Sequence, residues 1–129
     1  NVTTSTDGNH EGDVVYFGGA TSMTAGSIYV YEGTTWELAD ADAATTATGM
    51  LAVALGAASD NNGMLIRGMV TLSADPGSIS EQLYLSTTGG RAQNSAPTGS
   101  GKVVRLIGYC LDSTNGQVYF NPDNHYTVL

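Results

Sequence analysis

The sequence repeats one order of features about every fifty residues. Residues 12–62 and residues 63–115 each contain a glycine with an apolar strand, a short strand bearing tyrosine, a segment of small residues, and a second apolar strand. The matching segments are 13–17 and 64–67, 28–31 and 83–86, 39–49 and 92–101, and 49–56 and 103–111. A period of this length, built from strand-length units, predicts a β domain with an internal repeat. A glycine-rich β meander without duplication would also look periodic, and that alternative stays open.

The composition favours short strands joined by tight turns. Of the 129 residues, 41% are hydrophobic, only 12% are charged and 17 are glycine, which suits strands and turns better than long helices. Alternating hydrophobicity and turn residues predict strands near 13–17, 27–31, 34–38, 49–55, 64–73, 82–86, 102–111, 117–120 and 125–128. We therefore predict an all-β fold, an antiparallel β-barrel or sandwich of two related halves of about 50 residues.

Domain limits and turns follow from the same pattern. Residues 1–12 are polar and show no apolar periodicity, so they are predicted to be an N-terminal arm or linker, and residues 13–129 a single β domain. Asn62-Gly63 and Asn115-Gly116 predict hairpin turns of type I′, because asparagine and glycine tolerate positive φ. Pro76-Gly77 predicts a type II turn.

The charge balance disfavours two classes of partner. Twelve acidic residues stand against four basic ones, which gives a formal net charge of −8. Nucleic-acid binding depends on Lys and Arg near phosphates, and anionic membrane surfaces attract the same residues. The sequence therefore predicts neither a nucleic-acid nor a membrane partner.

Two of the predicted strands are apolar on both faces. In 64–73, Met64, Ile66, Val70 and Leu72 alternate with Leu65, Arg67, Met69 and Thr71, and in 102–111 apolar residues likewise fall on both sides. A sheet face that is exposed to water normally carries polar residues, so apolar residues on both faces need a cover on each side. This pattern indicates that a partner subunit covers one face of the sheet.

No catalytic or cofactor motif is present in the sequence. The only histidines, His10 and His125, lie near opposite ends, and no serine stands in a Gly-x-Ser-x-Gly motif. Cys110 lies within an apolar strand and is predicted to be a buried thiol. We therefore predict a protein that is not an enzyme and that uses no cofactor.

One acidic segment is a weak candidate for a metal site. Asp7, Asn9, Glu11 and Asp13 place side-chain oxygens at alternate positions, as calcium loops do. The bidentate glutamate of that loop would fall on Gly18, and no helix flanks the segment. A solvated acidic turn is the simpler interpretation, so the prediction is that no metal is bound.

Strand aromatics offer a candidate sugar platform. Trp36, Tyr31 and Tyr126 are the glycan-binding candidates, because aromatic rings stack on sugar rings. Packing in the core or between subunits is the alternative interpretation, and the one that we favour.

Six runs of the sequence carry a resemblance to a known group of proteins. They are residues 12–18, 39–43, 49–56, 63–72, 104–112 and 119–124. Together they resemble a β-rich module found at the C-terminal end of fibre-like structural proteins of tailed bacteriophages. The doubled plan is also similar to that of small β-barrel capsid decoration proteins, which are commonly trimers.

The resemblance implies a non-enzymatic virion structural protein on the surface of the particle. It would decorate the capsid or form the end module of a fibre, and its partners would be itself, as a homotrimer, and other virion proteins such as the capsid or an upstream fibre. Under this interpretation Leu65, Met69 and Tyr109 are the candidates for the subunit interface. The alternative is a receptor-binding module that recognises host surface glycan through its aromatic residues.

Overall fold

The structure is a computed structural model that describes residues 6–112 and 116–129, and within them the fold is nearly all-β, as the sequence predicts. The strands are β1 (His10–Val15), β2 (Ile28–Glu32), β3 (Thr35–Leu38), β4 (Met50–Ala54), β5 (Met64–Thr71), β6 (Gln82–Leu85), β7 (Ala92–Gln93), β8 (Val103–Val104), β9 (Leu106–Asp112), β10 (Gln117–Phe120) and β11 (Thr127–Val128). A 3₁₀ turn at Ala44–Thr46 and a single-turn helix α1 (Ser59–Asn62) lie between strands.

Most strands belong to one antiparallel sheet that curls into a half-barrel. Its order is β3-β2-β4-β5-β10-β9-β6-β7, and β1 pairs with β5 as well. The short strands β8 and β11 form a second, two-stranded sheet. The predicted antiparallel fold class is therefore confirmed.

The two halves of the sequence place their strands in the same order. In the first half β2 pairs with β3 and β4, and β4 pairs with β5, the strand that opens the second half. In the second half β6 pairs with β7 and β9, and β9 pairs with β10, the strand that follows this half. The pairing order is what a duplicated plan would produce, and that the two halves are related copies stays a prediction.

The main core lies inside the curl of the sheet and draws on both halves. Its largest fully buried side chains come from β2, β4, β5, β6, β8, β9 and β10, and include Ile28, Val30, Leu51, Val53, Leu65, Val70, Leu83, Leu85, Val103, Ile107 and Phe120. Each such side chain contributes roughly 1.5–3 kcal/mol when removed from water. Because both halves contribute to one cluster, neither buries its apolar strands alone.

A smaller core lies on the opposite face of β2, β3 and β4. Tyr29, Trp36 and Met64 pack there with Met23, and Phe17 from the segment after β1 packs against them. The chain between β1 and β2 therefore covers the outer face of the first half of the sheet.

A β-bulge in β5 changes which side chains face the core. Asp13 pairs with Arg67, but the next residue of β1 pairs with Leu65, so Ile66 is the extra residue. Strict alternation puts Leu65 and Val70 on opposite faces, yet the bulge brings both into the main core. Leu65 is 0% exposed. The prediction that Leu65 lies on a face open to a partner is therefore wrong.

The predicted N-terminal arm ends earlier than residue 12. His10–Val15 forms β1, whose first residues are exposed and polar but pair with β5 along its edge. The pairing brings Gly12 and Gly68 opposite one another, and a Cβ on Gly68 would lie 2.7 Å from the Cα of Gly12 and would collide with the carbonyl oxygen of Glu11. The strand could not be predicted from hydrophobic alternation because its first residues are polar. Its pairing with β5 is possible because Gly12 and Gly68 have no side chains where the two backbones approach.

Two predicted turns take other forms. Asn62 ends α1 and Gly63 follows it with φ of 90°, so Asn62-Gly63 is a helix end and not a two-residue hairpin. Gly77 lacks the positive φ that a type II turn at Pro76-Gly77 requires. Gly116 has φ of 70°, whereas Asn115 lies outside the described residues.

Replacing Gly68 should weaken the fold through β1. We expect Gly68→Ala to lower the free energy of unfolding by about 2–4 kcal/mol, because the new Cβ meets the β1 backbone at a positive φ. Urea unfolding followed by circular dichroism measures the change. The control is Gly33→Asn, where φ is +66° and no atom lies within 4 Å, with an expected loss below about 1 kcal/mol. Equal losses in the two variants would contradict the close approach.

Candidate functional site

The strand register places one row of side chains across the outer face of the second half of the sheet. Gln82 pairs with Tyr109, Tyr109 with Tyr119, Tyr119 with Met69, and Met69 with Glu11. Tyr109 and Tyr119 are 45% and 37% exposed, and Met69 is partly buried. The row brings two predicted interface residues together on one solvent-facing surface.

Beside this row lies a concave site of about 340 Å³, which we call the tyrosine groove. It is lined by Tyr109, Tyr119, Gln82, Leu106, Gly108 and the segment 121–124. The tyrosine rings provide apolar faces, and the amides of Gln82 and Asn121 provide donors and acceptors. The lining therefore combines apolar surface with hydrogen-bonding groups.

Gly108 is the residue that lets the strands approach beneath the groove. A Cβ at this position would collide with the carbonyl oxygen of Tyr119 and would lie 2.9 Å from the carbonyl carbon. Ile107, next to it, is the extra residue of a bulge between β9 and β6. The bulge turns Tyr109 outward while Ile107 stays in the core.

Backbone hydrogen bonds hold the segment 121–124 as the far wall of the groove. The amide of Asn121 donates to the carbonyl of Ile107 at 2.8 Å, and the amide of Asp123 donates to that of Leu106 at 2.9 Å. The carboxylate of Asp123 accepts from the amide of His125 at 3.0 Å. The wall is thus tied directly to β9.

Arg105 fixes the same segment from the inside. Its Nε donates to the carbonyl of Asp123 at 2.7 Å, and its Nη1 donates to the carbonyls of Ala47 at 3.0 Å and Gly49 at 2.5 Å. The side chain joins the 39–49 connection of the first half to the 121–124 wall. Arg105 is only 3% exposed, although its residue type is seldom buried.

The guanidinium of Arg105 has no carboxylate partner among the described residues, whose ion pairs are Arg67 with Asp13 and Lys102 with Asp42. Burial lowers the pKa of Arg105, while the charge of Asp123 acts in the opposite direction. An arginine remains charged at neutral pH. The hydrogen bonds of this buried cation within the described chain therefore all go to backbone carbonyls, and the charge of Asp123 adds a longer-range attraction.

Arg105 also lines a second concave site, which we call the arginine pocket. Nη2 of Arg105 makes no hydrogen bond within the described chain. Among the described residues every fully buried side-chain nitrogen has a hydrogen-bond partner, so Nη2 is not fully buried. The pocket holds about 380 Å³. Its other lining residues are Thr48, Gly49, Met50, Leu51, Ile66, Pro122 and Asn124.

The predicted glycan-binding residues do not form a platform. Trp36 is 5% exposed and donates from Nε1 to the carbonyl of Phe17 at 2.9 Å. The rings of Phe17, Tyr31 and Trp36 pack together with centroids 5.0–5.4 Å apart. Trp36 as a surface platform is therefore a wrong prediction, because the chain after β1 covers it. Tyr126 is exposed but does not line the groove.

The acidic segment near the N-terminus is extended where the calcium hypothesis needs a loop. Glu11 and Asp13 lie in β1, and Asp13 accepts a hydrogen bond from Arg67 at 3.0 Å. Asp7 and Asn9 precede the strand. Across the described residues no group of three or more His, Cys, Asp or Glu side chains is placed to hold a metal ion.

Cys110 is a buried thiol in the main core. Its Sγ lies 3.7 Å from the carbonyl oxygen of Gly77, and burial raises its pKa. A raised pKa reduces the thiolate fraction at neutral pH, so the group is a poor nucleophile. Within 6–112 and 116–129, no helix is long and apolar enough to cross a membrane.

Sequence reasoning identified Met69 and Tyr109 for the outer face but missed Gln82, the 121–124 wall and Arg105. The Asn-Pro-Asp-Asn run at 121–124 is a turn signal, which could have marked a loop beside the strands. Nothing in the sequence pairs that loop with β9. Comparisons with protein-family models, curated proteins and solved structures found no match to this chain.

Removing the Arg105 side-chain bonds should destabilise the fold strongly. We expect Arg105→Gln to lower the free energy of unfolding by at least about 3 kcal/mol, because buried carbonyls lose charged donors. Arg67→Gln is the control, since its ion pair is exposed and should be worth less than about 1 kcal/mol. Urea unfolding measures both variants. A loss for Arg105→Gln no greater than that for Arg67→Gln would show that the bonds do not hold the segments together.

Proposed function

We propose that this chain is a non-enzymatic structural module of a tailed-bacteriophage virion that works as a homo-oligomer, most simply a trimer. The virion assignment rests on the resemblance of six sequence runs. The module would act on the particle surface, as capsid decoration or as the end module of a fibre. Its partners would be its own copies and other virion proteins.

The observation that carries the oligomer is an unequal covering of the two halves of the sheet. Phe17 and Met23 cover the outer face of the first half. The corresponding face of the second half leaves Tyr109, Leu111 and Tyr119 exposed. A contiguous apolar surface of this kind is typical of a protein contact. A second copy of the chain is the occupant that the proposal assigns to it.

The groups around the groove favour binding over catalysis. Apart from tyrosine hydroxyls, Asp123 is the titratable side chain in its lining, and one of its oxygens already accepts from the backbone of His125. A hydrolytic site needs a nucleophile with a base, or two carboxylates. This lining supplies neither pair.

Glycan recognition is the second candidate function, and the tyrosine groove supports it. Two tyrosine rings stand beside amide side chains and a carboxylate in one concave site. Such a lining stacks on the apolar face of a sugar and bonds to its hydroxyls. The candidate residues shift from Trp36, Tyr31 and Tyr126 to Tyr109 and Tyr119.

The oligomer hypothesis predicts the behaviour of an outer-face variant. Met69→Asp should give a monomer or an insoluble chain, because a carboxylate replaces a partly buried side chain in the contact. Size-exclusion chromatography with light scattering measures the mass. Thr34→Asp adds the same charge at an exposed position in the β2–β3 turn and should leave the oligomer intact. A soluble trimer of Met69→Asp would exclude this face as the contact.

The glycan hypothesis predicts a different set of losses. On a glycan array, Tyr109→Ala and Tyr119→Ala should each weaken binding at least about tenfold, which corresponds to about 1.4 kcal/mol. Tyr126→Ala should bind as the parent chain does, since Tyr126 lies outside the groove. An array with no bound glycan would reject this candidate. A trimer in which Tyr109 is protected from solvent would favour the structural function instead.

A further inference from the structure

The arginine pocket combines a buried cation with apolar walls and an opening. The Arg105 residue is only 3% exposed. Its Nη2 is the one guanidinium nitrogen without a hydrogen-bond partner in the described chain. Proteins seldom bury a charge without a counter-ion. Nη2 is therefore a charged donor that is available to a negative group in addition to the attraction of Asp123.

We propose that the arginine pocket binds a small monocarboxylate that carries a short aliphatic group. The carboxylate accepts from Nη2 of Arg105, and the aliphatic group lies against Met50, Leu51 and Ile66. This site is separate from the tyrosine groove and does not depend on the proposed function. The two sites share only Pro122 and Asn124 in their linings.

The donor count favours a carboxylate over a phosphate. Nε and Nη1 of Arg105 are committed to carbonyls, and the hydroxyl of Thr48 donates to the carbonyl of Ala44 at 2.8 Å. Nη2 and the side-chain amide of Asn124 remain as donors in the lining. A phosphate dianion needs more donors than these, and the net charge of −8 opposes a second negative charge.

The apolar lining sets the rest of the ligand. Leu51 is buried, whereas Met50 and Ile66 are exposed enough to present apolar surface to the opening. A volume of about 380 Å³ is enough for a ligand of a few carbon atoms. A fully hydrated inorganic anion would bury none of this apolar surface against apolar groups, so it would gain no hydrophobic free energy of binding.

The test is a titration of the folded chain followed by nuclear magnetic resonance, with sodium butyrate as the probe and butyramide as its neutral analogue. We expect butyrate to produce saturable shifts in the side-chain signals of Arg105 and Asn124, with a millimolar dissociation constant, and butyramide to bind at least about tenfold more weakly. Absence of saturation would overturn the proposal. So would equal binding of both probes, or butyrate shifts confined to the tyrosine groove.

Variants at Asn124 test the site without removing Arg105, whose loss would destabilise the fold. Asn124→Asp places a fixed carboxylate in the pocket lining at an exposed position, and should weaken butyrate binding at least about tenfold by repulsion and by pairing with the guanidinium. Asn121→Asp adds the same charge in the lining of the tyrosine groove alone, and at 0.15 M salt should change binding less than about threefold. Equal effects of the two variants would attribute binding to general charge and overturn the proposal.

Discussion

Three backbone carbonyls, from Ala47, Gly49 and Asp123, converge on the guanidinium of Arg105. Ala47 and Gly49 belong to one segment and Asp123 to another, far away in the sequence, and no other described side chain bonds to all three. Arg105 thereby bonds to the 121–124 segment, which is a wall of both concave sites. A hydrogen bond from a charged donor is worth more than a neutral one, so Arg105 reinforces the backbone bonds of Asn121 and Asp123 that hold this wall.

The bulges in β5 and β9 decide what the outer face presents. Without the extra residue at Ile66, strict alternation would carry Leu65 away from Val70 and out of the core. Without the one at Ile107, Tyr109 would share a face with a core residue. The aromatic row on the outer face therefore depends on local departures from regular pairing. Each lies within two residues of a glycine, Gly68 or Gly108, that permits close backbone approach.

The sequence predicted the strands better than the site. Alternation and turn residues located most strands, because those signals are local and reflect burial on one face. The interface candidates Met69 and Tyr109 do lie on the outer face, but strict alternation alone would put each of them on the same face as a buried residue, Leu65 or Ile107. Leu65 failed because a bulge has no clear local signal. Trp36 was misplaced because its cover, Phe17, comes from a segment nineteen positions away in the chain. Contacts such as Arg105 to Asp123 depend on tertiary placement that a single sequence does not encode locally.

The pairing of β5 also bears on how the chain folds. This strand pairs with β1, β4 and β10, so its partners come from both ends of the chain. Joining β10 to β5 closes a loop of roughly fifty residues, and such non-local closure must be completed before its contacts stabilise the fold. Folding should accordingly be slow, in the millisecond-to-second range of β proteins rich in non-local contacts. During synthesis, β5 would keep part of one edge unpaired until β10 leaves the ribosome.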